Sequence, residues 1–230
     1  MRLSAELERL LVDDYPAVIS ITGAGGKTNT LKMLGKYFSS KGKSVLLTTT
    51  TKIQGPKHFG FDTDYSFTEE EDALMHMPSK GERVYYAQAN LMDPKKMRSP
   101  RLEVLEILSK RYDVVLIEAD GAKTLPLKLH TERDPVIVPY TTATLAIMGA
   151  MSLGDKKDNV CFGYDGSGVV DIPFFQQLID DKEGVLKGAI GRCAILINQC
   201  DATADYDCFK ALKASCPIVL GSVMKDEVYV

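Results

Sequence analysis

The segment from Val18 to Leu34, VISITGAGGKTNTLKML, constrains this chain more than any other stretch. An apolar run leads into a cluster of glycines, Lys27 and Thr28 follow at once, and the residues after them carry a helical pattern. A phosphate group needs several converging backbone N–H groups, and a helix N-terminus supplies them together with its dipole. The segment therefore predicts a strand, a phosphate-binding loop and a helix, with Lys27 at the phosphates and the Thr28 hydroxyl on Mg²⁺.

The loop departs from the usual P-loop pattern, G-x-x-x-x-G-K-[ST], because Ile21 stands where the first glycine is expected. Its sequence resembles the shorter ATP-binding loop of the Mur ligases, I-T-G-[TS]-N-G-K-T-[ST], which also lacks that glycine. A structural strand–turn–helix corner with an incidental lysine is the alternative, although the parts occur in the order that a nucleotide loop requires. The nucleotide-contacting residues predicted from this loop are Gly23, Ala24, Gly25, Gly26, Lys27, Thr28 and Asn29.

The overall composition argues against several classes of protein. The 230 residues carry a net charge of -3, so there is no overall basic field to attract nucleic acid or anionic lipid. No apolar run approaches the roughly 18 residues that a bilayer-spanning helix needs. The N-terminal stretch, MRLSAELERLLVDDYP, carries charges where a signal peptide would have an unbroken apolar centre. We therefore expect a cytoplasmic protein without a nucleic-acid or membrane partner.

The cysteines are odd in number and include no C-x-x-C pair, which argues against a disulfide framework. A metal site is the alternative suggested by the spacing of the last four, but the usual ligand spacing is missing. We expect free thiols that act as small core residues. The five cysteines are Cys161, Cys193, Cys200, Cys208 and Cys216.

The rest of the chain alternates short apolar runs with helical patterns, which is typical of a mostly parallel sheet with crossover helices. With the loop, this alternation predicts a P-loop NTPase-like three-layer α/β sandwich that forms a single domain over residues 1–230. The predicted strands are Val18–Ile21, Ser44–Leu47, Arg83–Ala87, Val114–Ile117, Leu145–Met148, Ala194–Asn198, Ile218–Leu220 and the weaker Val136–Val138. The predicted helices are Leu3–Val12, Lys27–Ser40, Glu69–His76, Arg101–Lys110, Pro173–Asp180, which Asp171 is placed to cap, and Tyr206–Lys213. The stretch 152–168, rich in Gly, Asp and Lys, predicts a loop excursion from the core.

Two carboxylates follow an apolar strand in DVVLIEADGAK, the segment from Asp113 to Lys123. P-loop enzymes place an acid at the end of such a strand, where it holds Mg²⁺ directly or through water. Glu118, Asp120 or both are therefore predicted to hold the metal together with Thr28. Asp120 is also predicted to orient the attacking water, and Lys123 to supply positive charge to the transition state. A solvated acidic turn is the alternative.

The segment LINQCD, from Leu196 to Asp201, resembles the N-K-x-D element with which GTPases recognise guanine. The Asp201 carboxylate would accept hydrogen bonds from the N1–H and N2–H groups of guanine, and Asn198 would face the same base. Gln199 replaces the lysine of that element, so the segment predicts a purine and leaves the choice between ATP and GTP open. A strand end whose polar side chains satisfy turn backbone groups is the alternative.

Taken together, six segments occur in the order found in the YqeC-type proteins, the accessory proteins of selenium-dependent molybdenum hydroxylases. They are ITGAGGKTNT, LLTTTTKI, VVLIEADGAKTLPLK, DPVIVP, GVLKGA and LINQCD. The resemblance covers about Val18 to Asp201. It implies a cytosolic bacterial P-loop protein whose partner is a molybdenum hydroxylase or its maturation machinery. The chain departs from the family at Asn29, where threonine is usual, and at Gln199, where lysine is usual.

Three functions are compatible with these patterns. The leading hypothesis is an accessory protein that binds ATP or GTP with Mg²⁺ and hydrolyses it, with catalysis mainly by positioning and charge neutralisation. The second is an ATP-dependent ligase or kinase that acts on a small molecule. The third is a non-hydrolysing metallochaperone whose partner affinity depends on the bound nucleotide.

Overall fold

The structure is a computed structural model that describes residues 1–54, 61–90 and 96–230. The strands in these ranges are β1 (Ala17–Gly23), β2 (Val45–Thr49), β3 (Ile53–Gln54), β4 (Tyr65–Phe67), β5 (Arg83–Tyr86), β6 (Gln88–Ala89), β7 (Lys96–Arg98), β8 (Val114–Glu118), β9 (Leu127–Lys128), β10 (Ala143–Gly149), β11 (Cys161–Phe162), β12 (Arg192–Asn198), β13 (Ile218–Ser222) and β14 (Glu227–Val228). The α-helices are α1 (Leu3–Leu11), α2 (Lys27–Ser40), α3 (Glu70–Met75), α4 (Leu102–Ser109), α5 (Lys157–Val160) and α6 (Ile172–Asp180). Short 3-10 helices lie at Ala150–Ser152, Cys200–Ala202 and Tyr206–Ala211.

A nine-stranded sheet forms the centre of the molecule, with the strand order β14-β13-β12-β10-β1-β8-β2-β5-β4. Every neighbouring pair is parallel except β13 and β14. Strand β1 lies between β10 and β8, so the carboxyl ends of the central strands meet at one edge of the sheet. Ligands of open parallel sheets bind at such an edge.

Helices cover both faces of this sheet. On one face, Ile19 and Ile21 of β1 belong to the apolar cluster that includes residues of α1 and α2. On the opposite face, one cluster contains residues of α3 and α4, and another contains residues of α6. Strands β1, β2, β8 and β10 are consequently buried along their whole length, as strands covered on both faces must be. The three-layer α/β sandwich predicted from the sequence is confirmed.

All seven of the stronger strand predictions correspond to strands of the central sheet, and helix α2 has the predicted bounds. The weaker prediction, Val136–Val138, is wrong: Val136 bonds to Ala119 and to the Thr50 hydroxyl without forming a strand ladder. The six residues Tyr206–Ala211 form a 3-10 helix instead of the predicted α-helix, because only Phe209 among them is fully buried. Within the described ranges, none of the helices combines the length and apolarity that crossing a bilayer requires.

The predicted excursion at 152–168 contains structure of its own. Helix α5 and strand β11 lie within it, and β11 pairs in parallel with β9 in a separate two-stranded sheet. These elements are two to four residues long, so they are too short to show a hydrophobic periodicity in the sequence. The pairing ties the excursion to β9, which carries Lys128.

The start of α1 is held by a residue from the far end of the described chain. The Asp226 carboxylate accepts hydrogen bonds from the Ser4 N–H at 2.7 Å and from the Ser4 hydroxyl at 2.9 Å. The Leu3 N–H bonds to the Asp226 carbonyl at 3.1 Å, and the Val228 N–H bonds to the Met1 carbonyl at 3.1 Å. Asp226 thereby satisfies N–H groups that a helix N-terminus leaves without intrahelical partners.

Helix α6 begins with the cap that the sequence predicts. The Asp171 carboxylate accepts a hydrogen bond from the Phe174 N–H at 2.9 Å. We expect Asp171→Ala to lower the free energy of unfolding by about 1 kcal/mol, because this N–H loses its side-chain acceptor. Asp171→Asn keeps an acceptor oxygen and should stay close to wild type. Denaturant unfolding checks both variants, and equal losses in both would contradict the capping role.

Candidate functional site

The loop between β1 and α2 has a backbone that only glycine adopts easily. Gly23, Gly25 and Gly26 have φ angles of 84°, 87° and 124°. A Cβ atom on Gly23 would lie 2.2 Å from the carbonyl oxygen of Ile147, and one on Gly25 would lie 2.5 Å from the backbone nitrogen of Gly149. The glycines therefore provide both positive φ and close approach to β10.

This loop leaves a run of backbone donors unused at the start of α2. Among the residues that the structure describes, the N–H groups from Gly25 to Asn29 have no hydrogen-bond partner, whereas the Ala24 N–H bonds to Ile147. The first regular helical bond is made by the Thr30 N–H to the Gly26 carbonyl at 2.9 Å. Consecutive free N–H groups at the positive end of a helix dipole form an anion-binding site.

Lys27, the first residue of α2, folds back over the loop. Its Nζ atom donates to the Gly23 carbonyl at 2.5 Å and lies 2.9 Å from Oδ1 of Asp120. Only 5% of Lys27 is exposed and Asp120 is fully buried. The lysine is thus paired with an acid beside the free N–H groups of the loop.

Glu118, the last residue of β8, faces Thr28. The Thr28 hydroxyl donates to Oε2 of Glu118 at 3.0 Å. Burial raises the pKa of Glu118, against the opposing effects of the Lys27 charge and the Thr28 hydrogen bond. A hydroxyl and a carboxylate are oxygen ligands of the kind that Mg²⁺ prefers.

Asp120 is brought to the same loop but has different partners. Its Oδ2 atom accepts hydrogen bonds from the Gly23 N–H at 2.9 Å and from His130 Nε2 at 2.7 Å, and it lies 3.5 Å from Lys128 Nζ. Burial alone would raise the pKa of Asp120, but the charge of Lys27, the His130 hydrogen bond and the Lys128 charge lower the pKa to about 2. Asp120 is therefore a buried anion that organises the loop through several donors.

Two of these partners, Lys128 and His130, were not predicted from the sequence. Lys128 Nζ also bonds to the Gly121 carbonyl at 2.6 Å and pairs with Asp134. His130 Nδ1 lies 2.7 Å from the Gly184 carbonyl, so both of its ring nitrogens face acceptors. The sequence does carry one signal for them, the alternation Leu-Lys-Leu-His at 127–130. In an extended segment this alternation places Lys128 and His130 on the same side.

Asn198, at the end of β12, uses both ends of its amide on the backbone. Its Nδ2 donates to the Gly25 carbonyl at 2.8 Å, and its Oδ1 accepts from the Val223 N–H at 2.9 Å. A Cβ atom on Gly26 would lie 2.5 Å from this Nδ2. Asn198 therefore joins the loop between β1 and α2 to the segment that follows β13.

The remaining predicted residues lie at the surface. Asp201 is exposed in the short 3-10 helix after β12, beyond Gln199, which has a positive φ of 68°. Asn29 is exposed on α2. Lys123 is exposed, and its Nζ atom lies 5.3 Å from the centre of the Phe162 ring. The structure thus brings the loop, both acids and Asn198 together and leaves these other side chains in contact with solvent.

We expect Asn198→Ala to lower the free energy of unfolding by about 2 kcal/mol or more, because two buried backbone groups lose their partners at roughly 1–3 kcal/mol each. The exposed Asn159 provides a matched control, and Asn159→Ala should change stability by less than about 0.5 kcal/mol. Denaturant unfolding of both variants makes the comparison. A loss in Asn198→Ala no larger than in the control would show that the bridge contributes nothing.

Comparison with solved structures supports the fold. The chain is similar to the signal recognition particle receptor FtsY from Elizabethkingia anophelis, solved in complex with GDP, with a TM-score of 0.51 and 15% identity. That match covers 99% of this chain and 67% of the other. Chloroplast FtsY from Physcomitrella patens matches with a TM-score of 0.50 and 18% identity, over 95% of this chain and 65% of the other. At these identities the likeness shows a shared fold.

Sequence comparison shows the family. Over 144 residues the chain is 33% identical to "Uncharacterized protein YqeC" of Escherichia coli strain K12, a match that covers 61% of this chain and 55% of that protein. The chain therefore aligns with about half the length of this relative. The sequence model described as "YqeC protein" matches residues 19–165, more than half of the chain, with the phosphate loop, Glu118 and Asp120 inside the match. The chain belongs to the YqeC family.

Proposed function

We propose that this protein binds a nucleoside triphosphate together with Mg²⁺ at the loop between β1 and α2, and hydrolyses it. The observation that carries the proposal is the run of free N–H groups from Gly25 to Asn29 at the start of a 14-residue helix, with Lys27 beside it. The fold shared with an FtsY protein that was solved with GDP supports a nucleotide as the anion.

In this proposal the loop N–H groups bind the phosphate oxygens and Lys27 supplies positive charge to them. Lys27 is paired with Asp120, so a bound phosphate group competes with this carboxylate for the lysine. Asp120 keeps Lys128 and His130 as partners when Lys27 moves, which limits the cost of that exchange. Asp120 is also the proposed group that orients the attacking water.

Thr28 and Glu118 are the residues that would hold Mg²⁺. Their oxygens already lie 3.0 Å apart, and Glu118 is a buried carboxylate whose raised pKa reflects the cost of its charge. A divalent cation would offset that charge and, when bound, would neutralise charge on the phosphates. Asp120 is a weaker candidate as a metal ligand, because its oxygens are engaged by the Gly23 N–H, Lys27 and His130.

The wider role that we propose follows from family membership and from the resemblance of the motifs. The protein acts in the cytoplasm as an accessory factor for a selenium-dependent molybdenum hydroxylase, and nucleotide turnover accompanies maturation of that enzyme. The partner is the hydroxylase or its maturation machinery. Three further residues are proposed to lie near the base or the phosphates: Asp201, Asn198 and Lys123. Both ATP and GTP are candidate ligands.

A cavity favours a second candidate, an ATP-dependent kinase or ligase that acts on a small anionic molecule. The cavity has a volume of about 90 Å³ and lies beside α2, the helix that begins at the phosphate loop. Its lining combines three basic side chains with one acid and two apolar side chains: Lys32, Lys36, Leu47, Phe61, Asp62 and Arg83. A requirement for an anionic acceptor in turnover would favour this function over simple hydrolysis.

Lys27→Ala is expected to remove triphosphate binding while the protein stays folded, because Asp120 keeps Lys128 and His130. Thermal-shift titrations with ATP and GTP, each with and without Mg²⁺, measure the effect. A true ligand at 100 times its Kd adds about 2.7 kcal/mol of stability to wild type. Exposed Lys80 is the matched control, and Lys80→Ala should bind like wild type. A folded Lys27→Ala protein that binds either nucleotide as tightly as wild type would contradict the proposal.

Glu118→Gln keeps the shape of the side chain but removes its charge. We expect nucleotide binding without Mg²⁺ to change little and Mg²⁺-dependent hydrolysis to fall by about 100-fold, the typical loss when a charge-stabilising group is removed. Exposed Glu106 offers the control, since Glu106→Gln should hydrolyse at the wild-type rate. Phosphate-release assays distinguish the outcomes. Undiminished turnover in Glu118→Gln argues against the metal assignment, and no turnover in wild type argues for a non-hydrolysing nucleotide-gated module.

A further inference from the structure

Two of the five cysteines lie side by side at the end of the sheet opposite the phosphate loop. Ile195 of β12 pairs with Ile218 of β13. Continuing this register two residues back, to the bend that precedes β13, brings Cys193 of β12 level with Cys216. The Ile195 N–H bonds to the Pro217 carbonyl at 2.9 Å, which extends the pairing toward this end. The interaction between the two thiol groups raises the pKa of Cys193 and lowers the pKa of Cys216.

The other cysteines have backbone partners instead. The sulfur of Cys161 contacts the Phe162 carbonyl, that of Cys200 the Ile197 carbonyl at 3.2 Å, and that of Cys208 the Asp205 carbonyl at 2.9 Å. Cys161 and Cys200 are also buried, whereas Cys193 and Cys216 are each half-buried. The pair is thus distinguished by its position side by side across neighbouring segments, and it shares partial access to solvent with Cys208.

The backbone at this place suits a covalent bond between the sulfurs. Neighbouring strands lie about 4.7–4.9 Å apart, and disulfides join residues whose Cα atoms are about 4.4–6.8 Å apart. Among the described residues, no group of three or more His, Cys, Asp or Glu side chains is arranged to hold a metal ion, so no third ligand joins the pair. We propose that Cys193 and Cys216 form a reversible disulfide, a thiol-modification site at the amino ends of β12 and β13.

The chemistry assigns a different role to each sulfur. The interaction with Cys193 lowers the pKa of the Cys216 thiol, and the same interaction raises the pKa of Cys193. Cys216 therefore attacks a low-molecular-weight disulfide as a thiolate, forms a mixed disulfide and releases one thiol. Cys193 then loses its proton and attacks the Cys216 sulfur, which releases the second thiol. The two cysteines lose two electrons and two protons in total, and the small disulfide is reduced to two thiols.

This site is separate from the proposed nucleotide site. Asn198 contacts the loop between β1 and α2, and Cys193 lies five residues before it on β12. Five residues of extended strand span about 16 Å. The disulfide would join β12 and β13 at one end while Asn198 and the segment after β13 meet at the other. The proposed disulfide is therefore independent of nucleotide binding.

The full-length protein, equilibrated with mixtures of reduced and oxidised glutathione, provides the test. After unfolding and alkylation with a maleimide, intact mass should change from five blocked thiols in reducing mixtures to three in oxidising mixtures, with a loss of two hydrogens. Five blocked thiols in every mixture would overturn the proposal. A stable glutathione adduct on Cys216 would also overturn it, since Cys193 would then fail to complete the exchange.

Peptide mapping identifies the linked residues. Trypsin places Cys193 in the peptide 193–210 and Cys216 in the peptide 214–225, and the first also contains Cys200 and Cys208. Cys193→Ser and Cys216→Ser should each abolish the link between these peptides, while Cys200→Ser and Cys208→Ser should preserve it. A link that persists in Cys193→Ser would overturn the assignment. Wild-type mapping by fragmentation gives the same answer without any variant, should one fail to fold.

Discussion

The loop between β1 and α2 depends on one buried carboxylate, that of Asp120. It is fully buried, and such a charge is tolerated only when other charges and donors surround it. Lys27 comes from α2, the Gly23 N–H from β1, Lys128 from β9, and His130 from the segment after it. Removing the acid would take the ion-pair partner from buried Lys27 and the hydrogen-bond partner from the Gly23 N–H and from His130. The loop, β9 and the segment that carries His130 therefore depend on it together.

The parallel register of the sheet makes this convergence possible. Ile21 of β1 lies opposite Glu118 of β8, and Gly149 of β10 lies opposite Asn198 of β12. Ile21 also lies opposite Leu145, so β10 and β12 continue four residues beyond the level at which β8 ends. The four strands therefore end at the same edge of the sheet, although their ends are far apart in the sequence. A shift of one residue in any of these pairings would turn the terminal side chain to the opposite face of the sheet.

The local features of the site could be predicted from the sequence, whereas its long-range contacts could not. Gly23 to Thr28 carry a signal within one short segment, because glycines, lysine and helix occur in a fixed order. The seven predicted strands are apolar runs, since burial on both faces removes polar residues from them. The nine-strand order, by contrast, depends on pairings between distant segments.

Lys128 and His130 are site residues that could not be predicted from the sequence. The chain reverses after β8 through Lys123 and Thr124, which have φ angles of 47° and 66°, and this turn returns His130 to Asp120. Neither residue type favours such angles, so no local pattern indicates the reversal. The adjacency of Cys193 and Cys216 could not be predicted from the sequence either, because it depends on strand register rather than on any spacing between cysteines.

The cap that Asp226 places on α1 has a consequence for the order of folding during synthesis. Helix α1 is only nine residues long, too short to be stable by itself in water, and its first N–H groups bond to a residue 222 positions later in the chain. The helix is synthesised well before Asp226 and lacks its cap until Asp226 has emerged from the ribosome. The N-terminal segment is therefore a late participant in folding despite its early synthesis, and contacts of such long sequence separation slow the formation of the native state.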